Sequence, residues 1–111
     1  MSAVTTHVLD TARGQPAAGL AVRLERVSGA GPEEIGRAST DADGRVRDIG
    51  PDRLAAGTYR LVFGAAAYFA RQQTAAFFPE VAVTFTVDSE VPHYHVPLLI
   101  SPFGYTTYRG S

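Results

Sequence analysis

A chain of 111 residues, 45% apolar and 19% charged, is sized for one domain around a single hydrophobic core, and its composition excludes wholesale disorder. The formal net charge is -1 and all ten cations are arginines scattered along the chain, so there is no basic stripe for nucleic acid. With no cysteine, disulfides and thiolate chemistry are excluded, and the longest nearly apolar stretch, residues 64–70, falls far below the roughly 20 residues of a membrane span.

The chain opens without a basic region followed by a long apolar run, so the expectation is a cytoplasmic protein whose first strand carries His7. Turn signals follow at fairly even intervals: Gly14-Gln15-Pro16, Gly29-Ala30-Gly31-Pro32, Asp41-Ala42-Asp43-Gly44, Gly50-Pro51-Asp52 and Ser101-Pro102-Phe103-Gly104. Between them Val22 and Leu24 alternate with Arg23 and Glu25, and Tyr59-Arg60-Leu61-Val62-Phe63 adds a β-rich run. Residues 65–73 alone have helix-forming composition and predict one short helix. The clearest strand is 81–88, where Val81, Val83, Phe85 and Val87 face a core and Ala82, Thr84, Thr86 and Asp88 do not. Residues 93–100 put Tyr94, Val96, Leu98 and Ile100 on one face and His93, His95, Pro97 and Leu99 on the other, a face suited to a pocket or a subunit interface. Roughly seven or eight strands with one helix predict an all-β, two-sheet sandwich forming one domain over residues 1–111.

Histidine titrates nearest neutrality, which makes His7, His93 and His95 the candidate acids and bases. His93 and His95 stand about 7 Å apart on one strand face, a spacing within reach of a zinc ion with His7 as third ligand. The lack of cysteine and of a placed acidic pair points instead to no metal and no cofactor. Asp43-Gly44-Arg45 reads first as a tight turn, which accounts for Asp and Gly but not for Arg45, whose planar fork suits a carbonyl or a developing oxyanion. The end, Tyr108-Arg109-Gly110-Ser111, is unusually rich in functional groups for a segment that ordinarily frays.

Thr6-His7-Val8-Leu9-Asp10, Gly14-Gln15-Pro16-Ala17, Thr40-Asp41-Ala42-Asp43-Gly44-Arg45, Phe78-Pro79-Glu80-Val81, His93-Tyr94-His95-Val96-Pro97-Leu98-Leu99 and Tyr108-Arg109-Gly110-Ser111 together resemble the 5-hydroxyisourate hydrolases, the transthyretin-related enzymes. The resemblance spans nearly the whole chain, and its most specific part is the closing Tyr-Arg-Gly-Ser, absent from the hormone-carrying transthyretins. It implies a transthyretin-like sandwich with one short helix, assembled as a homotetramer, a dimer of dimers, with active sites in the channel between dimers. It also implies hydrolysis of 5-hydroxyisourate, the unstable product of urate oxidation, to 2-oxo-4-hydroxy-4-carboxy-5-ureidoimidazoline. By resemblance His7, Arg45, His95 and Tyr108 line the site, and Arg109, Gly110 and Ser111 close it.

Ring opening needs an activated water, a stabilised carbonyl oxygen and a proton for the leaving nitrogen. The expected division has one of His7 and His95 orienting or deprotonating water, Arg45 holding a substrate oxygen, and Tyr108 and Ser111 orienting the substrate. A covalent route through Ser111 is disfavoured, since a nucleophilic serine needs a base at hydrogen-bond distance and a rigid mount. The rival reading is a transthyretin-like small-ligand carrier without catalysis; His7, Arg45 and His95 favour the enzyme, because an apolar carrier gains little by desolvating them. A cell-surface adhesion sandwich is a third possibility.

Overall fold

The computed structural model describes residues 2–111. Strand β1 (Val4–Asp10) is the hub: its even positions, Val4, Thr6, Val8 and Asp10, are almost fully buried, as the twofold strand repeat requires of a strand with one core face. It pairs with β2 (Gln15–Pro16) and β5 (Arg45–Val46) antiparallel, and with β8 (Tyr94–His95) and β9 (Leu98–Ile100) parallel; β10 (Tyr105–Thr107) adds to β9 as an edge. The second sheet runs β4-β3-β6-β7, from β4 (Gly31–Ser39), β3 (Ala21–Ser28), β6 (Gly57–Phe63) and β7 (Val81–Val87).

Each sheet presents an apolar face that only the other can cover. Val22 and Leu24 of β3, Tyr59, Leu61 and Phe63 of β6, and the ends of β7 meet Val4, Val8, Leu98 and Ile100 in one core. Helix α1 (Ala65–Ala70) buries Tyr68 and Phe69 against it. The Tyr68 hydroxyl donates to Asp10 Oδ2 at 2.7 Å, while the N–H groups of Ala12 and Arg13 donate to Oδ1, both at 3.1 Å. That satisfies a fully buried carboxyl and fastens the helix to the end of β1. No helix among the described residues is long and apolar enough to cross a membrane.

The mostly-strand, two-sheet, one-helix expectation is borne out. Details differ for local reasons. The helix ends at Ala70, with Gln73 in the left-handed region at φ 56. The described residues form ten strands rather than seven or eight, because three, β2, β5 and β8, are only two residues long and because Pro97, which has no N–H to donate, splits β8 from β9. Pro97 itself is buried rather than on the open face. Glu25, expected outside, is also buried: a bulge between Leu24 and Glu25 interrupts β3, and the carboxylate accepts from Arg23 Nε at 2.9 Å and Arg60 Nε at 2.8 Å. Val83 and Phe85 are only half-buried, since the middle of the edge strand β7 overlooks a gap between the sheets.

Candidate active site

The odd positions of β1 point away from the core, and two carry chemistry: Thr5, nearly covered, and His7, half-buried. Cross-strand register chooses their neighbours, because paired residues project on the same face. Thr5 pairs with His95 on β8, and His7 pairs with Arg45 on β5.

A turn delivers Arg45 to that position. Asp41 Oδ1 accepts the N–H groups of Asp43 and Arg45, both at 2.9 Å, and the Gly44 N–H donates to the Asp41 carbonyl at 2.9 Å. The Arg45 N–H first, and then that of Asp43 and the Arg47 charge, hold the Asp41 carboxyl below the usual carboxylate range. Gly44 has φ +77, and a Cβ there would run into the Val8 carbonyl oxygen; with glycine the Val8 N–H donates to the Gly44 carbonyl at 2.7 Å and the turn lies against β1. Arg47 takes the second Asp41 oxygen at 2.7 Å, whereas Arg45 forms no ion pair among the described residues.

His7 Nε2 lies 2.9 Å from the Asp43 carbonyl oxygen. A carbonyl only accepts, so Nε2 carries the proton and Nδ1 is the nitrogen left for chemistry. His95 Nδ1 lies 2.8 Å from Thr5 Oγ1, which is also 3.1 Å from His93 Nε2. Burial first, then the positive charge of Arg45 and the neighbouring His93 and His7, hold the His95 imidazole below its ordinary pKa.

The tail closes over this imidazole. The Gly110 N–H donates to the His95 carbonyl at 2.8 Å, and the Arg109 guanidinium sits 5.1 Å from the centre of the Tyr94 ring. A Cβ on Gly110 would stand 2.6 Å from His95 Cδ2, so the backbone rests directly on the imidazole edge.

Thr5, Arg45, Arg47, His93, His95 and Ser111 share a groove of ≈ 260 Å³. His7 lies beside Arg45 by register but is not in the groove lining. Tyr108 and Arg109 instead line a second concavity of ≈ 310 Å³ with Phe85, Tyr94 and Val96, and His95 belongs to both. The sequence thus singled out Arg45, His95 and Ser111, which the fold brings into one groove, and Tyr108 and Arg109, which lie in the other. It missed Thr5. The available signal was parity, since Thr5 shares the outward face of β1 with His7.

The model of the HIUase/Transthyretin family matches residues 4–110. The chain belongs to that family. Within the HIUase/Transthyretin family, a 5-hydroxyisourate hydrolase from Deinococcus radiodurans is 48% identical over 113 residues, covering 97% of this chain and 95% of the relative. The structure of the Klebsiella pneumoniae 5-hydroxyisourate hydrolase superposes with a TM-score of 0.87 at 37% identity, over 99% of this chain and 100% of that one. Sea bream transthyretin, in a complex with thyroxine, superposes with a TM-score of 0.91 at 31% identity, over 97% and 94% of the two chains. One HIUase/Transthyretin sandwich therefore serves an enzyme and a hormone binder, and side chains rather than fold must distinguish them. Among the described residues, no group of three or more His, Asp or Glu side chains is placed to hold a metal ion.

Proposed function

We propose that this chain hydrolyses 5-hydroxyisourate to 2-oxo-4-hydroxy-4-carboxy-5-ureidoimidazoline, with no metal or cofactor. The observation that carries the reading is the groove itself, where a low-pKa imidazole, His95, lies beside an unpaired guanidinium, Arg45. His95 takes a proton from water as it attacks the cyclic amide carbonyl and returns it to the leaving nitrogen. Arg45 donates to the oxygen on which charge develops. His7, fixed through Nε2, uses Nδ1 to orient water or substrate. Ser111 orients the substrate, Gly110 holds the tail on His95, and Tyr108 and Arg109 reach the substrate from the neighbouring concavity. A serine nucleophile is disfavoured, since the Ser111 hydroxyl makes no hydrogen bond among the described residues.

The same proposal includes a homotetramer, a dimer of dimers whose channel is walled by the outer face of the β1 sheet. Two features support it: β7 and β10 are unpaired sheet edges, and Phe103 and Tyr105 are exposed. Native mass spectrometry at micromolar protein tests the assembly, and a monomer would remove it. The carrier reading draws on the likeness to the thyroxine-bound transthyretin and on the Phe85, Tyr94 and Val96 wall. Urate oxidase generating 5-hydroxyisourate in situ separates the two: a hydrolase speeds the loss of the intermediate's ultraviolet band, and a carrier leaves it at the spontaneous rate.

A further inference from the structure

The groove holds one arrangement that these roles leave unused. Thr5 Oγ1 is within hydrogen-bond distance of two imidazoles, His95 Nδ1 at 2.8 Å and His93 Nε2 at 3.1 Å. A hydroxyl has one proton to donate, so when Thr5 donates to one ring it accepts an N–H from the other. Two neutral arrangements have Thr5 donating to a ring. If His93 Nε2–H donates to Thr5 and Thr5 to His95 Nδ1, the proton of neutral His95 sits on Nε2 and the ring is no base there. If His95 Nδ1–H donates to Thr5 and Thr5 to His93, His95 Nε2 is bare and basic. In both, the tautomers of the two histidines are coupled through one side chain.

We propose that Thr5 and His93 are positioning residues that form a proton relay for His95, moving the transient positive charge of the reaction from the half-buried ring to the exposed one; the proposal rests on the hydrolase reading. As His95 Nε2 bonds to the proton leaving the attacking water, the His95 Nδ1–H bond breaks and that proton bonds to Thr5 Oγ1. The original Thr5 O–H bond breaks in turn, and its proton bonds to His93 Nε2. His95 is then neutral with its proton on Nε2, Thr5 is unchanged, and His93 is the imidazolium. When the leaving nitrogen takes the Nε2 proton, the wire runs backwards and restores the starting tautomers.

The surroundings give the relay a reason. The charged and titratable side chains of the groove are Arg45, Arg47, His93 and His95, with His7 beside Arg45. No Asp or Glu side chain lines it to balance an imidazolium at His95. His93 is exposed, and water solvates a charge there. Thr5, nearly covered, sits on a strand in register with His95, which fixes the bridging oxygen rather than leaving it to a mobile water.

Three variants test this: Thr5→Val, which removes the hydroxyl at similar size; Thr5→Ser, which restores it; and His93→Gln, which can still hydrogen-bond but cannot carry the proton. The expected result is a fall in kcat of about 10-fold or more for Thr5→Val and His93→Gln, at or below the low end of general-base effects, with KM little changed. Thr5→Ser recovers, the double variant is no slower than either single one, and added imidazole restores His93→Gln. Wild-type kcat in both single variants, with His95→Ala inactive, would overturn the relay and leave the hydrolase intact. A loss confined to KM, or one that Thr5→Ser and imidazole fail to relieve, would also overturn it. Should Thr5→Val not fold, His93→Gln and its imidazole rescue decide alone. A wild-type protein without hydrolysis would instead sink the hydrolase reading, and the relay with it.

Discussion

Gly110→Ala adds one methyl group, and the expected outcome is a large fall in kcat. Gly110 is not among the glycines with positive φ, so alanine meets no backbone penalty there and the effect is purely steric. The new Cβ would lie 2.6 Å from His95 Cδ2 and 3.2 Å from both the His95 carbonyl oxygen and Pro97 Cγ. Ordinary contact begins near ~3.4–4 Å, so the tail and the imidazole must separate by about 0.8 Å. Pro97 and the carbonyl are held by β8 and β9, and the soft coordinates are the His95 ring and the tail. A displacement near 1 Å at a reacting group costs about 100-fold in rate. The tail contributes little to the core, so Tm should fall by no more than a few degrees. Steady-state decay of 5-hydroxyisourate, with thermal unfolding in parallel, checks both halves. A folded Gly110→Ala protein with wild-type kcat would refute the claim that the tail positions His95.

Three further outcomes follow from the same geometry. Arg45→Gln removes a cation that keeps His95 deprotonated, so the His95 pKa rises towards its ordinary value and the acid limb of the kcat profile moves to higher pH; an unmoved limb would detach Arg45 from the base. The shift is partial, because burial, the larger cause, remains. Tyr68→Phe takes a donor from a fully buried carboxylate and should lower stability by about 1.5–3 kcal/mol in urea unfolding without altering kcat. Exhaustive chelation should leave activity whole, and a loss restored by zinc would replace the water-activation scheme with a metal-based one.

Local periodicity made the sandwich legible. The alternation in β7 and in the last segment, with turn residues between strands, points to half-buried strands, and the strands are there. The juxtaposition of His7, Arg45 and His95 is not written in any one segment; it arises because β1 pairs with both β5 and β8. For the same reason Thr5 passed unseen: its partners lie 88 and 90 residues away, and a threonine in a strand needs no functional motive. Glu25 and Pro97 departed from their expected faces where a bulge and a missing N–H broke the twofold repeat. Tyr108 and Arg109 share a short motif with Ser111, yet the two parts of that motif line different concavities, which four adjacent residues could not reveal.

In the proposed hydrolysis His95 is the base. Stopped-flow decay of 5-hydroxyisourate, released by a pulse of urate oxidase activity, tests it with the wild-type protein and His95→Asn side by side. The wild type should speed the decay, and His95→Asn should lose about two to four orders of magnitude of that acceleration while remaining folded. Equal acceleration by the two proteins would contradict the assignment of His95, and spontaneous decay with both would contradict the enzyme.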